Sequence, residues 1–300
     1  MRESRDGADV WHPQWAGEPG RRLYTAVHMP RGHRLRVGVL LVAPLFHELP
    51  RSRRLLSEIA HHLASLGFVS MQFDFYGMGD SMGLGEDTDF HSMRRDLCVV
   101  ESALRERLRE QAEGVCGVER LVVVAFRGGA LPVMSWIGEG ARPDLVVLWE
   151  PILDGLNWLQ ELEREDAAER RSPSRYSILR NRRISVPDAG DDAQLMGMNA
   201  SRQLREDLAA FGMPAPVVRS QLAFWTVTRP HMRTLELEPE SGLVLDADTP
   251  AFGGSTRMES ALFMSPGLHR VVDALGQALC RWSTAVPAAH GGVAGGQGDG

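Results

Sequence analysis

The chain contains no lysine: all 33 basic residues among its 300 are arginine. That absence excludes a phosphate loop built around its Lys, a pyridoxal Schiff base and every other lysine nucleophile. Cysteine is scarce and odd in number. Cys98, Cys116 and Cys280 are widely spaced in apolar surroundings, which fits neither a disulfide framework nor a metal-ligand spacing. The expectation for them is burial as small hydrophobes. No stretch approaches the roughly 18 apolar residues of a membrane span, and Met1–Gly20 lacks an apolar signal core. A cytoplasmic protein without direct membrane insertion is therefore expected. Positive charge is not in excess either. The formal net charge is −6, so no whole-molecule field draws in nucleic acid.

What is present is a soluble globular composition, 43% hydrophobic and 24% charged, long enough for one large domain or two small ones. No internal repeat is visible. Residues 1–20 carry no period and read as a flexible N-terminal segment, and 286–300 is a Gly-rich tail too poor in apolar residues to order itself. Between them the first half alternates strand and helix signals. Arg22–His28 reads as an early strand. Val37–Ala43, Phe68–Phe75, Leu121–Phe126 and Leu145–Trp149 are short apolar runs of the kind buried on both faces. Leu55, Leu56, Ile59, Leu63 and Leu66, then Met93, Leu97, Val100, Leu104 and Leu108, recur at helical spacing. This order predicts an α/β fold with a mainly parallel sheet flanked by helices, its core formed by 21–153 and 215–285. Residues 154–214, rich in mixed charge and broken by Pro and Gly, read as an inserted helical cap. Strand signals return at Leu222–Thr228 and Gly242–Asp246, and a helix near Gly267–Trp282 closes the domain.

Parallel sheets place their working residues past the carboxyl ends of the strands. One such segment, Asp74–Phe75–Tyr76–Gly77–Met78–Gly79–Asp80–Ser81–Met82–Gly83, resembles the Asp-x-x-Gly-x-Gly-x-Ser turn of the α/β-hydrolase superfamily. The likeness spans roughly Leu23 to Trp282. It implies an α/β-hydrolase fold and a loop at Pro44–Glu48 that helps to build an oxyanion hole. Phe46–Arg54, Phe126–Leu131 and Leu148–Gly155 further resemble the exosortase A system-associated hydrolases of type 2, encoded with bacterial exopolysaccharide export and sorting genes. That resemblance implies a hydrolase label, with exopolysaccharide machinery proteins as partners; the small or sugar-linked anionic substrate expected here follows from an arginine at the elbow, Arg127, and not from the resemblance.

The residues themselves resist ordinary hydrolase chemistry. Hydrolases of this fold attack with a Ser on a Gly-x-Ser-x-Gly strand-to-helix turn. Here the turn reads Ala125–Phe126–Arg127–Gly128–Gly129, and a guanidinium, permanently protonated, is no nucleophile. The segment where the superfamily keeps its acid reads Arg229–Pro230–His231, and the loop of its catalytic His, Asp246–Gly254, contains no His. All three triad roles are vacant by this reading. His269 falls within the closing helix, and Ser81 reads as a turn residue. The candidate pocket residues that remain are Arg127, His47 and Glu48, with Phe46, Gly128, Glu150 and Asp246 lining a substrate site. Arg127 at a helix amino end either binds an anion or pairs internally with Glu48 or Glu150 and seals the site. His47 with Glu48 forms either a general base and its orienting partner or an inert loop pair. No cofactor is indicated, neither metal nor nucleotide nor flavin. The functional alternatives are a hydrolase or transferase with a non-serine site, and a catalytically inactive protein binding anions or glycans or regulating their assembly. A structural partner of an export complex is a third.

Overall fold

The computed structural model describes residues 10–110, 119–170, 194–216, 221–230, 241–246, 249, 252 and 264–285. In chain order the elements are β1 (Val10–Ala16), β2 (Leu23–Met29), β3 (Val37–Val42), α1 (Glu48–Ser65), β4 (Val69–Phe73), α2 (Phe90–Glu110), β5 (Arg120–Phe126), α3 (Ala130–Gly138) and β6 (Leu145–Trp149). They continue with α4 (Gly155–Arg170), β7 (Gln194–Leu195), β8 (Met198–Asn199), α5 (Arg202–Ala210), β9 (Ala223–Thr228), β10 (Ser241–Val244) and α6 (Pro266–Ala285).

Eight strands form one sheet in the order β1-β2-β4-β3-β5-β6-β9-β10. β2 runs antiparallel to β1 and β4, and every pairing from β4 to β10 is parallel. The middle strands are the continuous apolar runs of the sequence: VGVLLV and LVVLW are buried at every position. They have no polar face because helices cover both sides. Strand alternation shows this on β4. Ser70 Oγ donates to Ala60 O at 2.7 Å and Gln72 Nε2 to Ser57 Oγ at 2.8 Å, both on α1. Met71, between them, lines a cleft with Val99 of α2. Successive side chains leave a strand on opposite sides, so α1 and α2 lie on opposite faces.

Two expectations need correction. Residues 10–16 are not a loose segment but the edge strand β1, paired with β2 from Val10↔Met29 to Ala16↔Leu23. Cys98 and Cys280 are not core residues. Cys98 is exposed and Cys280 half-buried, because Cys98 follows the inward Leu97 and is turned about 100° away on a helix of 3.6 residues per turn. Cys116 lies outside the described residues, as do 1–9, 286–300 and the middle of the 154–214 insertion. Of that insertion the structure describes α4, the small β7–β8 ribbon and α5. Ser201 caps α5 by accepting from Leu204 N at 2.9 Å and donates to Thr88 O at 2.6 Å. Asp207 of α5 accepts from Phe90 N at 2.7 Å, so the insertion leans on the start of α2.

Candidate functional site

Three adjacent parallel strands, β3, β5 and β6, end in residues that only glycine adopts readily. Phe46 has φ 54°, Arg127 φ 51° and Glu150 φ 41°. Bulky side chains in the left-handed region store strain that the surrounding structure must hold in place. At Arg127 the cause is local. β5 passes through a single 3₁₀ turn, Arg127–Gly129, directly into α3, and this tight strand-to-helix elbow aims the Arg127 side chain above the sheet. Gly128 is required there, since a Cβ would overlap the indole of Trp158 on α4. That indole also meets Phe46, ring centre to ring centre at 5.5 Å. Phe46 and Trp158 are both buried, so aromatic rings pack over the elbow.

The Arg127 guanidinium is not left open. Its Nε faces both carboxylate oxygens of Glu48 at 3.3 Å, Nη2 reaches Oε1 at 3.2 Å, and Nη1 donates to Glu150 O at 3.3 Å. Glu48 is the first residue of α1 and only 2% exposed. The positive end of the helix and the guanidinium together hold its charge. Arg51, one turn further on, is buried beside Glu48 and donates to Phe252 O at 2.9 Å. The Glu150 carboxylate pairs with Arg229, the residue after β9. Its other oxygen is buried without a hydrogen-bond partner among the described residues. α4 adds a third acid near the elbow. Burial raises the pKa of Glu165, Glu161 and Glu48 raise it further, and Arg127 opposes them.

The site residues expected from sequence therefore meet only in part. Arg127, Glu48, Glu150, Phe46 and Gly128 converge at the ends of β3, β5 and β6. Between the two alternatives for Arg127, internal pairing is the arrangement found. His47 is buried nearby, but the Glu48 carboxylate is taken by Arg127. His47 Nδ1 has no hydrogen-bond partner among the described residues. Burial, then the Arg51 and Arg127 charges, push the His47 pKa down to about 4. Such an imidazole is neutral at pH 7 and a weak base, so the His47–Glu48 dyad is not assembled. Asp246 lies apart, half-exposed, and pairs with Arg270 of α6. Ser81 is a turn residue as expected: its Oγ accepts from Tyr24 N at 2.8 Å and donates to Asp74 O at 2.6 Å. Sequence reasoning missed Arg51, Trp158, Glu165 and Arg229 as members of the site.

No family model and no curated protein sequence matches the chain. Solved structures do. A soluble variant of the Saccharomyces cerevisiae monoglyceride lipase, in complex with a substrate analogue, superposes with a TM-score of 0.57 at 14% identity, covering 92% of this chain and 96% of its own. Mouse α/β hydrolase domain-containing protein 10 gives 0.53 at 11% identity, over 90% and 99%. A Xanthomonas campestris α/β serine hydrolase described as without lid gives 0.52 at 16% identity, over 92% and 97%. This chain has an α/β-hydrolase fold. Identities this low establish the fold alone, and the chemistry rests on the residues at the mouth of the sheet.

Proposed function

We propose that this protein is a non-hydrolytic α/β-hydrolase-fold protein that serves bacterial exopolysaccharide production as a binding or regulatory component. One observation carries the reading: the elbow from which serine relatives attack presents a guanidinium held by the buried Glu48 carboxylate. The likeness of Phe46–Arg54, Phe126–Leu131 and Leu148–Gly155 to the exosortase A-associated hydrolases supports the exopolysaccharide setting. Of the five N–H donors of Arg127, three are engaged by Glu48 and the Glu150 carbonyl. The outer edge of the guanidinium keeps two for the carboxylate or phosphate of a small or sugar-linked ligand. No described helix is long and apolar enough to cross a membrane, so partners in the export machinery would be met through protein contacts, from the cytoplasmic side in this proposal.

Turnover of a panel of esters and thioesters, measured on the native protein and on Arg127→Ala, tests the reading. Equal rates at the uncatalysed background are expected. The same two proteins are melted with anionic metabolites and glycan fragments, where stabilisation of the native protein but not of the variant is expected. A second reading, a hydrolase or transferase with a non-serine site, draws on the strain kept at Phe46, Arg127 and Glu150, since strained residues cluster at working sites. Turnover that vanishes in Arg127→Ala would establish that reading and overturn the first.

A further inference from the structure

On the side of the sheet covered by α1, three ligand-bearing side chains meet between two helices. His62 lies in the last turn of α1, and His269 and Asp273 lie one turn apart on α6. His62 Nε2 is 2.7 Å from Asp273 Oδ1, and His269 Nε2 is 3.5 Å from Asp273 Oδ2. One ligand atom from each residue falls within 4.8 Å of the other two. The two imidazoles stand edge to face with centres 5.3 Å apart.

The spacing is compatible with a metal centre. Bonds of about 2.0–2.2 Å to nitrogen and oxygen put neighbouring ligand atoms about 3.0–3.5 Å apart, in octahedral or tetrahedral arrangement. The two distances from Asp273 bracket that range. His62 Nε2 is buried and meets hydrogen-bond geometry with no partner among the described residues, a cost that native proteins rarely leave standing.

The helices also hold the donors in place. α1 and α6 cross closely at Gly276, where a Cβ would overlap the Leu66 side chain. Leu66 follows His62 by one helical turn, and Gly276 follows Asp273 by about one turn, so the ligands sit on the same two facing stripes as this crossing. Their separation is set by core packing rather than by the ligands themselves, the condition for a preorganised site.

We propose that His62, His269 and Asp273 bind a divalent transition-metal ion, such as Zn²⁺, that staples α1 to α6. Two imidazoles and one carboxylate are a borderline-soft donor set, which suits Zn²⁺ and Co²⁺ and not Ca²⁺ or Mg²⁺. Water fills the remaining positions. The two histidines lie about 200 residues apart in the chain, which is why no ligand spacing shows in the sequence and no metal was expected from it.

Untagged protein, stripped with EDTA and dialysed, is titrated with Zn²⁺ by calorimetry and with Co²⁺ by visible absorption, and its melting temperature is followed with and without Zn²⁺. One equivalent is expected to bind, with a Co²⁺ d–d band and a rise in Tm of several degrees. His269→Ala and Asp273→Ala, at exposed or half-exposed positions, should melt like the native protein without metal. Each should lower Zn²⁺ affinity at least tenfold and abolish the rise in Tm. Absence of saturable binding, or equal affinity in the native protein and both variants, would overturn the proposal; Mg²⁺ producing the same shift would overturn the assigned metal class.

Discussion

Two tight turns at the mouth of the sheet, one after β4 and one after β5, use their polar residues in different ways. The β4 turn, Asp74–Gly83, carries the full Asp-x-x-Gly-x-Gly-x-Ser pattern, and the hydrogen bonds described there tie the turn to itself and to its neighbours. Asp74 accepts from Arg53 at 2.6 Å and from Asp80 N at 2.8 Å. Gly77, at φ 80°, donates to Met82 O at 2.8 Å in a space where a Cβ would overlap the Leu84 carbonyl. Asp96 of α2, 1% exposed, ties the turn down by accepting from Tyr76 N at 2.8 Å and from Arg21 at 2.6 Å. Arg21 in turn lies 4.0 Å over the Tyr76 ring. The β5 turn has the strained φ at Arg127 and the bare Gly128, and its one charged side chain pairs with Glu48. The contrast separates what a fold needs from what a reaction needs. A motif that closes a hydrogen-bond network is hard to alter piecemeal, whereas a nucleophile on a rigid perch is replaceable as long as its substitute finds a counter-charge.

The comparison breaks most sharply at Asp96. Asp96→Ala leaves Arg21 and the Tyr76 amide without their carboxylate and should cost about 4 kcal/mol, as for other broken buried pairs, measured by urea unfolding. A loss below about 1 kcal/mol would show that the β4 turn is not the anchored one. Acid titration comes next, because the two turns respond to pH with opposite signs. His47, beside the β5 turn, has its pKa lowered from 6.5 to about 4. The unfolded chain then binds its proton first, and stability present above pH 6.5 is lost as pH falls through about 4, some 3 kcal/mol in all. His47→Gln should remove that part of the acid sensitivity. Asp96 is raised by burial from 3.8 to about 6 despite Arg21, so its contribution is present below about pH 4 and is lost as pH rises through about 6. A pH profile unchanged by His47→Gln would defeat the assignment.

Smaller effects sharpen the contrast. Arg127→Ala strands the Glu48 carboxylate with Arg51 alone and should cost about 2 kcal/mol, because the buried Arg51 still offsets part of the Glu48 charge. Glu48→Gln in the same chain should restore most of it, a coupling that a double-mutant cycle reads directly. Additive losses would mean that the pair contributes nothing. The smallest difference is conformational: Arg127→Gly should exceed Arg127→Ala in stability by about 1 kcal/mol, because only the glycine relieves φ 51°.

Most of the frame was legible in the sequence. The buried runs that became β3, β5 and β6, and the helical rows of Leu55–Leu66 and Met93–Leu108, declare themselves because each has a face, or two, turned from water. β1 was not legible for the converse reason. Trp11, His12, Pro13 and Trp15 are all exposed, so the strand has no apolar alternation, and Pro13 argues against a strand except at an edge. At the site, Arg127 among the small residues of the elbow is plain in one dimension, but its partner is not. Glu48 and Arg127 are 79 residues apart in the chain, and either Glu48 or Glu150 satisfied the charge arithmetic. Only the placement of α1 against the β5 elbow decides between them. Trp158 and Arg229 were invisible as site residues because their roles depend on how α4 and β9 return to the sheet.

Trp158 has one more implication. Its indole rests on Gly128 and against Phe46, so any molecule that is to lie flat on the elbow has first to lift that ring into a wetter setting. The protein thereby carries its own optical gauge of occupancy. Among seven tryptophans, the one whose emission shifts on ligand addition, and whose shift disappears in Trp158→Phe, would report the opening of the perch in real time without any label.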